Sequence, residues 1–193
     1  MISYLQEHTI DIVLSEQEKK KLVIKQIKGK NQPGIAVQEY FYKLFGTDIM
    51  AIESVSVSTV LSFLSEIGTD IYKFDSAKKF TNWLRLATNN KVSGSKTLSS
   101  RTPKGKNKFA IALPNAANTI ENKKEGYLAQ FFKRIAYKKG RAAAITAIAR
   151  KIAILIWNMI IKKQAYHPID SEQDKEKLKQ IKTRQIQKNY ETT

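Results

Sequence analysis

The chain has 193 residues, 42% of them hydrophobic, which is enough for one domain with its own core and too apolar for a disordered chain. Lysine and arginine number 34 against 17 acids, a formal charge of +17 that points to a polyanion, most simply nucleic acid, with an anionic membrane surface as the lesser option. There is no cysteine, which excludes disulfide frameworks and thiolate metal sites and agrees with a cytoplasmic setting.

Met1 to Lys28 reads as a helix with a solvated, highly charged middle, EQEKKK at 16–21. It lacks the basic start and apolar run of a secretory signal. Lys30, Asn31, Gln32 and Pro33 between two glycines form a breaker cluster and mark a hinge. Residues 1–30 are therefore expected to be an arm or connector. Val37, Tyr40, Phe41, Leu44 and Phe45 lie near helical spacing over 35–45. Thr47-Asp48 can cap a short turn into Ile49 and Met50. Over 52–68, Val60, Leu61, Leu64 and Ile67 predict an amphipathic helix with Gly68 as its C-cap. Asp75 or Ser76 caps the next helix, 77–86, which buries Phe80, Trp83, Leu84 and Leu86.

The following stretch, KVSGSKTLSSRTPKGKNK at 91–108, carries Lys91, Lys96, Arg101, Lys104, Lys106 and Lys108, six hydroxyl residues and no acid. Gly94, Pro103 and Gly105 argue against helix or strand, so a long basic loop is expected. A loop of this length inside a compact domain is usually functional or disordered. Ammonium, guanidinium and hydroxyl groups all donate to phosphate oxygens, so the composition suits a phosphate ligand as well as it suits a solvated loop.

Beyond it, 109–120 reads as a helix that Pro114 should kink or break. Leu128, Phe131, Phe132 and Ile135 make one stripe over 125–139, closed by Lys138, Lys139 and Gly140. The strongest helical repeat runs from Ala142 to Ile161. It is apolar enough to mimic a membrane span, but Arg150 and Lys151 fall at its centre, where charge is costly in a bilayer, so a buried helix is expected. That pair either meets phosphate or snorkels to the surface. Trp83 and Trp157 are expected in the core rather than as base-stacking platforms. Residues 169–193 read as a charged C-terminal helix. The expectation is an all-α, compact bundle of about six to eight helices, with the basic loop in mid-chain and charged helical arms at both ends. No phosphate-binding or dinucleotide glycine fingerprint occurs. The only histidines, His8 and His167, are far apart, so a serine–histidine pair would require a meeting in space.

Several blocks resemble the C-terminal domain of transposases of the IS110/IS116/IS902 group of insertion sequences. KNQP at 30–33, SEIG at 65–68, KFDSAKKFTNWL at 73–84, NKVSGSKTLSSRT at 90–102, AITAIARKIAILIW at 144–157 and HPIDSEQ at 167–173 stand in the family's order. On this resemblance residues 31–168 are the transposase C-terminal domain, and the function is DNA transposition by strand cleavage and rejoining. The serine nucleophile carried over is Ser93, before Gly94. Lys91, Lys96, Arg101, Lys104, Lys106 and Lys108 are then expected to hold DNA. The resemblance also implies a separate N-terminal RNase H-like domain whose four carboxylates bind Mg²⁺. This chain resembles the half without it, a truncated protein that binds no cofactor or metal itself and is inactive alone. DNA is the expected partner, with a guide RNA and homo-oligomers implied by the family and no membrane. The alternative from another class is a non-catalytic basic nucleic-acid-binding domain.

The chain also departs from the family pattern. Ser54 and Ser56 stand where a glycine-bearing helix-hairpin-helix turn is usual, and Arg85 and Ser95 also replace glycines. A side chain at a position wanting positive φ costs energy and blocks close backbone approach.

Overall fold

A computed structural model describes residues 37–103 and 107–168, with the isolated positions 14–16, 22, 180 and 183. The two expected charged arms lie almost wholly outside the described residues, as do Lys104 and Lys106. Six α-helices are described: α1 Val37–Phe45, α2 Val57–Ile67, α3 Ala77–Trp83, α4 Lys108–Glu121, α5 Tyr127–Lys139 and α6 Arg141–Lys162. The fold is predominantly helical, as the hydrophobic periodicity implies.

Two short 3-10 turns, Ile49–Ala51 and Ile71–Lys73, link the first three helices. The first is capped as expected: Met50 N–H donates to Asp48 Oδ1 at 2.9 Å. Ser76, rather than Asp75, caps α3, accepting from the Lys79 N–H at 3.2 Å. The helix expected from residue 52 begins only at Val57. Ile52 and Val55 are buried in the link, and Ser54 between them has φ +73, which no α-helix accommodates.

α4 and α6 organise the core. α6 packs against α3, α4 and α5, and α4 also meets α2. Ile148, Ile152, Ile156 and Ile160 of α6 are wholly buried. α6 is long and apolar enough to cross a membrane, yet its apolar side faces these neighbours. Phe41, Phe45, Phe63 and Phe109 make an aromatic cluster, with edge contacts at 5.6 Å for Phe45–Phe63 and 5.2 Å for Phe63–Phe109. Such pairs add about 0.5–1.5 kcal/mol each beyond their area burial. Trp157 donates from Nε1 to the Phe74 carbonyl at 3.1 Å and packs, partly buried, against the core. Trp83 packs on Phe74 but remains 40% exposed, further out than expected. The two ends of the bundle are clasped: Lys163 Nζ donates to the Phe45 carbonyl at 2.6 Å, and Thr47 Oγ1 to the Gln164 carbonyl at 3.0 Å.

Two local expectations need correction. Pro114 does not break its helix; α4 runs unbroken through it. Its first turn is held twice, by Asn107 Oδ1 accepting from Ala110 N–H at 2.7 Å and by Glu66 Oε1 accepting from Lys108 N–H at 3.0 Å. Leu113, Ala116, Ala117 and Ile120 then bury the helix on either side of the proline. Packing of this kind outweighs the loss of one backbone bond.

The second correction concerns the basic loop. Residues 89–101 fold as an antiparallel β-hairpin, β1 Asn89–Ser93 and β2 Lys96–Arg101. Gly94 and Ser95 make its two-residue turn, with φ +57 at Gly94 and no positive φ at Ser95. That sign pattern is the glycine-first type II′ turn, which matches the twist of the flanking strands. Ser95 therefore replaces a glycine without strain. The register slips between Lys91 and Val92, which leaves Leu98 as an extra, bulged residue.

Candidate nucleic-acid interface

The hairpin stands off the bundle. All five residues of β1 are exposed, and the apolar Val92 and Leu98 are 59% and 64% exposed. Ser93 ends β1 beside the turn, directly across from Lys96, with its side chain exposed. Lys91 lies two residues back on the same strand, and Arg101 is at the foot of β2, paired with Asn89. The structure thus gathers Ser93, Lys91, Lys96 and Arg101 on one ribbon. It separates them from Lys108, which opens α4. From residue 76 to residue 120 the sequence contains no Asp, Glu or His, so no acid within this stretch neutralises the ribbon.

Lys108 belongs to a different place. It borders a groove of about 440 Å³ between the start of α2 and α4, walled by Ser54, Ser56, Ser58, Ser62 and Thr119. Ser56 Oγ lies 2.9 Å from Ser58 Oγ and 3.2 Å from Thr59 Oγ1. Ser54 Oγ is buried with no hydrogen-bond partner among the described residues. The glycine positions noted in the sequence are partly explained here. Ser54 has φ +73 and Arg85 φ +55, so both residues occupy backbone that favours glycine, whereas Ser56 is an extended N-cap residue at φ −116.

A second groove, of about 770 Å³, runs between the foot of the hairpin, α5 and α6. Its apolar floor includes Leu86, Phe131, Ile135 and Ile154, and its cations are Arg101, Lys139, Arg150 and Lys151. No acid lines it. Arg150 and Lys151 therefore face a cleft instead of only escaping to solvent. Lys151 Nζ also sits 5.6 Å from the centre of the Tyr127 ring. Sequence reasoning singled out Arg101, Arg150 and Lys151 but could not assemble this group, because its members are up to 68 residues apart (Leu86 to Ile154). The charge asymmetry was a usable signal: residues 107–168 hold twelve Lys and Arg against only Glu121 and Glu125.

Among the described residues, two ionisable groups are displaced from their ordinary values, and neither lies in these grooves. The Asp75 carboxyl is held low, first by its hydrogen bond to Lys79 and then by that ammonium's charge. Arg141 is raised by its hydrogen bond and ion pair with Glu121. Among the described residues, no three His, Cys, Asp or Glu side chains converge. The described residues do not fit a Mg²⁺ ion.

The described residues thus form a helical bundle with a strongly basic half and a projecting cationic ribbon. Residues 47–133 match the family model described as transposase, IS116/IS110/IS902 family, which supports a transposase of that family. The matched segment runs from the capped turn before α2 into α5 and includes the whole hairpin with Ser93. The match supports a part in DNA transposition generally. No curated protein and no solved structure matches the chain.

Proposed function

We propose that the hairpin binds DNA and presents Ser93 as the nucleophile of strand cleavage and rejoining. The observation that carries this reading is the position of Ser93, exposed at the end of an acid-free ribbon and opposite Lys96. In the proposed step Ser93 Oγ attacks the phosphorus and one P–O bond to a sugar breaks. The freed sugar oxygen leaves, and the DNA is held as a phosphoserine ester. The covalent link splits one difficult displacement into two easier ones. Lys91, Lys96 and Arg101 offset charge on the phosphoryl oxygens. Lys108, which opens α4, extends the DNA contact, and Lys104 and Lys106, outside the described residues, are further DNA contacts on this reading.

The serine proton needs an acceptor. Residues 76–120 hold no carboxylate or imidazole, so the acceptor comes from elsewhere in the chain or from another molecule. On this reading cleavage requires a partner domain bearing carboxylates and Mg²⁺, and the chain alone binds without cutting. DNA is the primary partner in this proposal, with guide RNA and multimers as further members implied by the resemblance, in a cytoplasmic setting.

The test is a salt titration of duplex binding. Each phosphate contact contributes about 0.9 to the slope of log affinity against log salt. Changing Lys91, Lys96 and Arg101 together to Gln should lower that slope by about three. Ser93→Ala should leave binding unchanged. An affinity that ignores salt would overturn the reading.

A further inference from the structure

We propose that the α5–α6 groove is a second nucleic-acid site, which takes an unpaired base of a single strand while the hairpin engages the phosphodiester. This rests on the DNA-directed reading above and adds the state of the strand that is bound. The argument begins with shape. A duplex presents phosphates on a convex surface and asks only for a cationic face. Here the cations ring an apolar concavity of about 770 Å³. That volume lies in the range that encloses a small organic ligand, about 300–1,000 Å³, and suits a base and its sugar rather than a double helix.

The chemistry agrees on both parts of a nucleotide. Phe131 and Ile135 on α5 and Ile154 on α6 offer the apolar surface that a base face needs. Phe131 is stacked on Tyr127 at 6.3 Å and has Arg134 5.1 Å from its centre, so the ring that helps to wall the groove is held in place by its neighbours on α5. Stacking of this kind tolerates any base. Three threonines, Thr88, Thr102 and Thr146, line the same groove, and a hydroxyl turned into it can meet a base edge. Thr146 Oγ1 donates to the Ala142 carbonyl at 3.1 Å, which leaves its lone pairs to accept. Arg150 Nε is buried with no hydrogen-bond partner among the described residues, and a buried donor of this kind calls for an acceptor such as a phosphate oxygen.

Position joins the two sites. Arg101 belongs to both, as the foot of β2 and as a wall of the groove. Strand β2 carries the chain from there to Lys96, opposite Ser93, a distance of roughly 17 Å at the usual rise per residue. A strand unstacked into the groove would therefore be anchored a short reach from the serine, which favours a melted junction over intact duplex.

The experiment compares a fluorescent single-stranded oligonucleotide with a duplex of equal length at matched salt, using the whole chain. Ala142 is exposed on the groove wall, so Ala142→Trp fills the groove without removing charge. The expected result is about a tenfold loss of single-strand affinity in Ala142→Trp with duplex affinity unchanged, the size that follows from losing one stacked base. In parallel, a thiothymidine-bearing single strand is photocrosslinked to the unaltered protein and the adducts are mapped, which needs no variant. Adducts on α5 and α6 are expected. Adducts confined to residues 89–108, or an unchanged single-strand affinity in Ala142→Trp, would overturn the groove site while leaving the hairpin reading intact. Absence of binding to either nucleic acid would overturn both. Equal loss for single strand and duplex would show that the groove is part of a general cationic face and would also overturn the proposal.

Discussion

Ser54→Gly should stabilise the protein. Ser54 sits at φ +73 between the buried Ile52 and Val55, so its backbone is held in place by core packing. An L-residue in that half of the map costs about 1–2 kcal/mol. Glycine relieves this but gives back about 0.5–1 kcal/mol through the greater freedom of its unfolded chain. Ser54 Oγ is also buried without a partner among the described residues, and removing such a hydroxyl recovers on the order of 1 kcal/mol. The net gain is about 1–2 kcal/mol, which for a chain of this size raises the melting temperature by roughly 3–6 °C. Thermal unfolding followed by circular dichroism measures it. Ser54→Ala is the informative partner because it removes the hydroxyl and keeps the Cβ. It should recover only the hydroxyl part. If Ser54→Gly melts at or below the unaltered protein, or if the alanine variant matches it, the claim of backbone strain is wrong.

Gly126→Ala should act in the opposite direction. The glycine has φ +102, and an added Cβ would lie 3.1 Å from Glu53 Oε1, so a loss of at least about 1–2 kcal/mol is expected in the same melt. Trp157→Phe removes the donor to the Phe74 carbonyl while keeping most of the ring packing, and should cost about 1–2 kcal/mol in denaturant unfolding. The Asp75 carboxyl should titrate below the usual range when followed by NMR, and Lys79→Gln should move it back up, since Lys79 is the main cause of the shift. A lowered carboxyl contributes stability that is present above its unfolded value and lost as pH falls through the folded one, so this contribution disappears only on the acid side.

The helices were legible where one face is buried. The isoleucine repeat of α6, the cap at Asp48 and the stop at Gly140 each have a local cause, and each is found where that cause predicts. The hairpin was not legible as strand because none of β1 is buried. With no buried side there is no two-residue alternation to read. One clue was present: Gly94-Ser95 is a hairpin turn dipeptide, set between Val92 and Thr97. Pro114 misled because its local penalty is real, but the doubly anchored first turn and the buried face of α4 outweigh it. The candidate site was legible in part. Ser93 and its flanking cations form a contiguous run of sequence, so one motif contains them. The α5–α6 groove depends on tertiary assembly of Leu86, Arg101, Phe131 and Arg150, which no local pattern links.

The most direct test of the nucleophile is covalent. The chain is combined with a carboxylate-bearing, Mg²⁺-binding transposase domain and supercoiled DNA, the protein is digested, and any nucleotide-bearing peptide is sequenced by mass spectrometry. The account predicts a phosphoester on Ser93 that vanishes in Ser93→Ala and never forms with the chain alone. A nucleotide found on Ser99 or Ser100, an adduct that survives Ser93→Ala, or one formed without the added domain would contradict it.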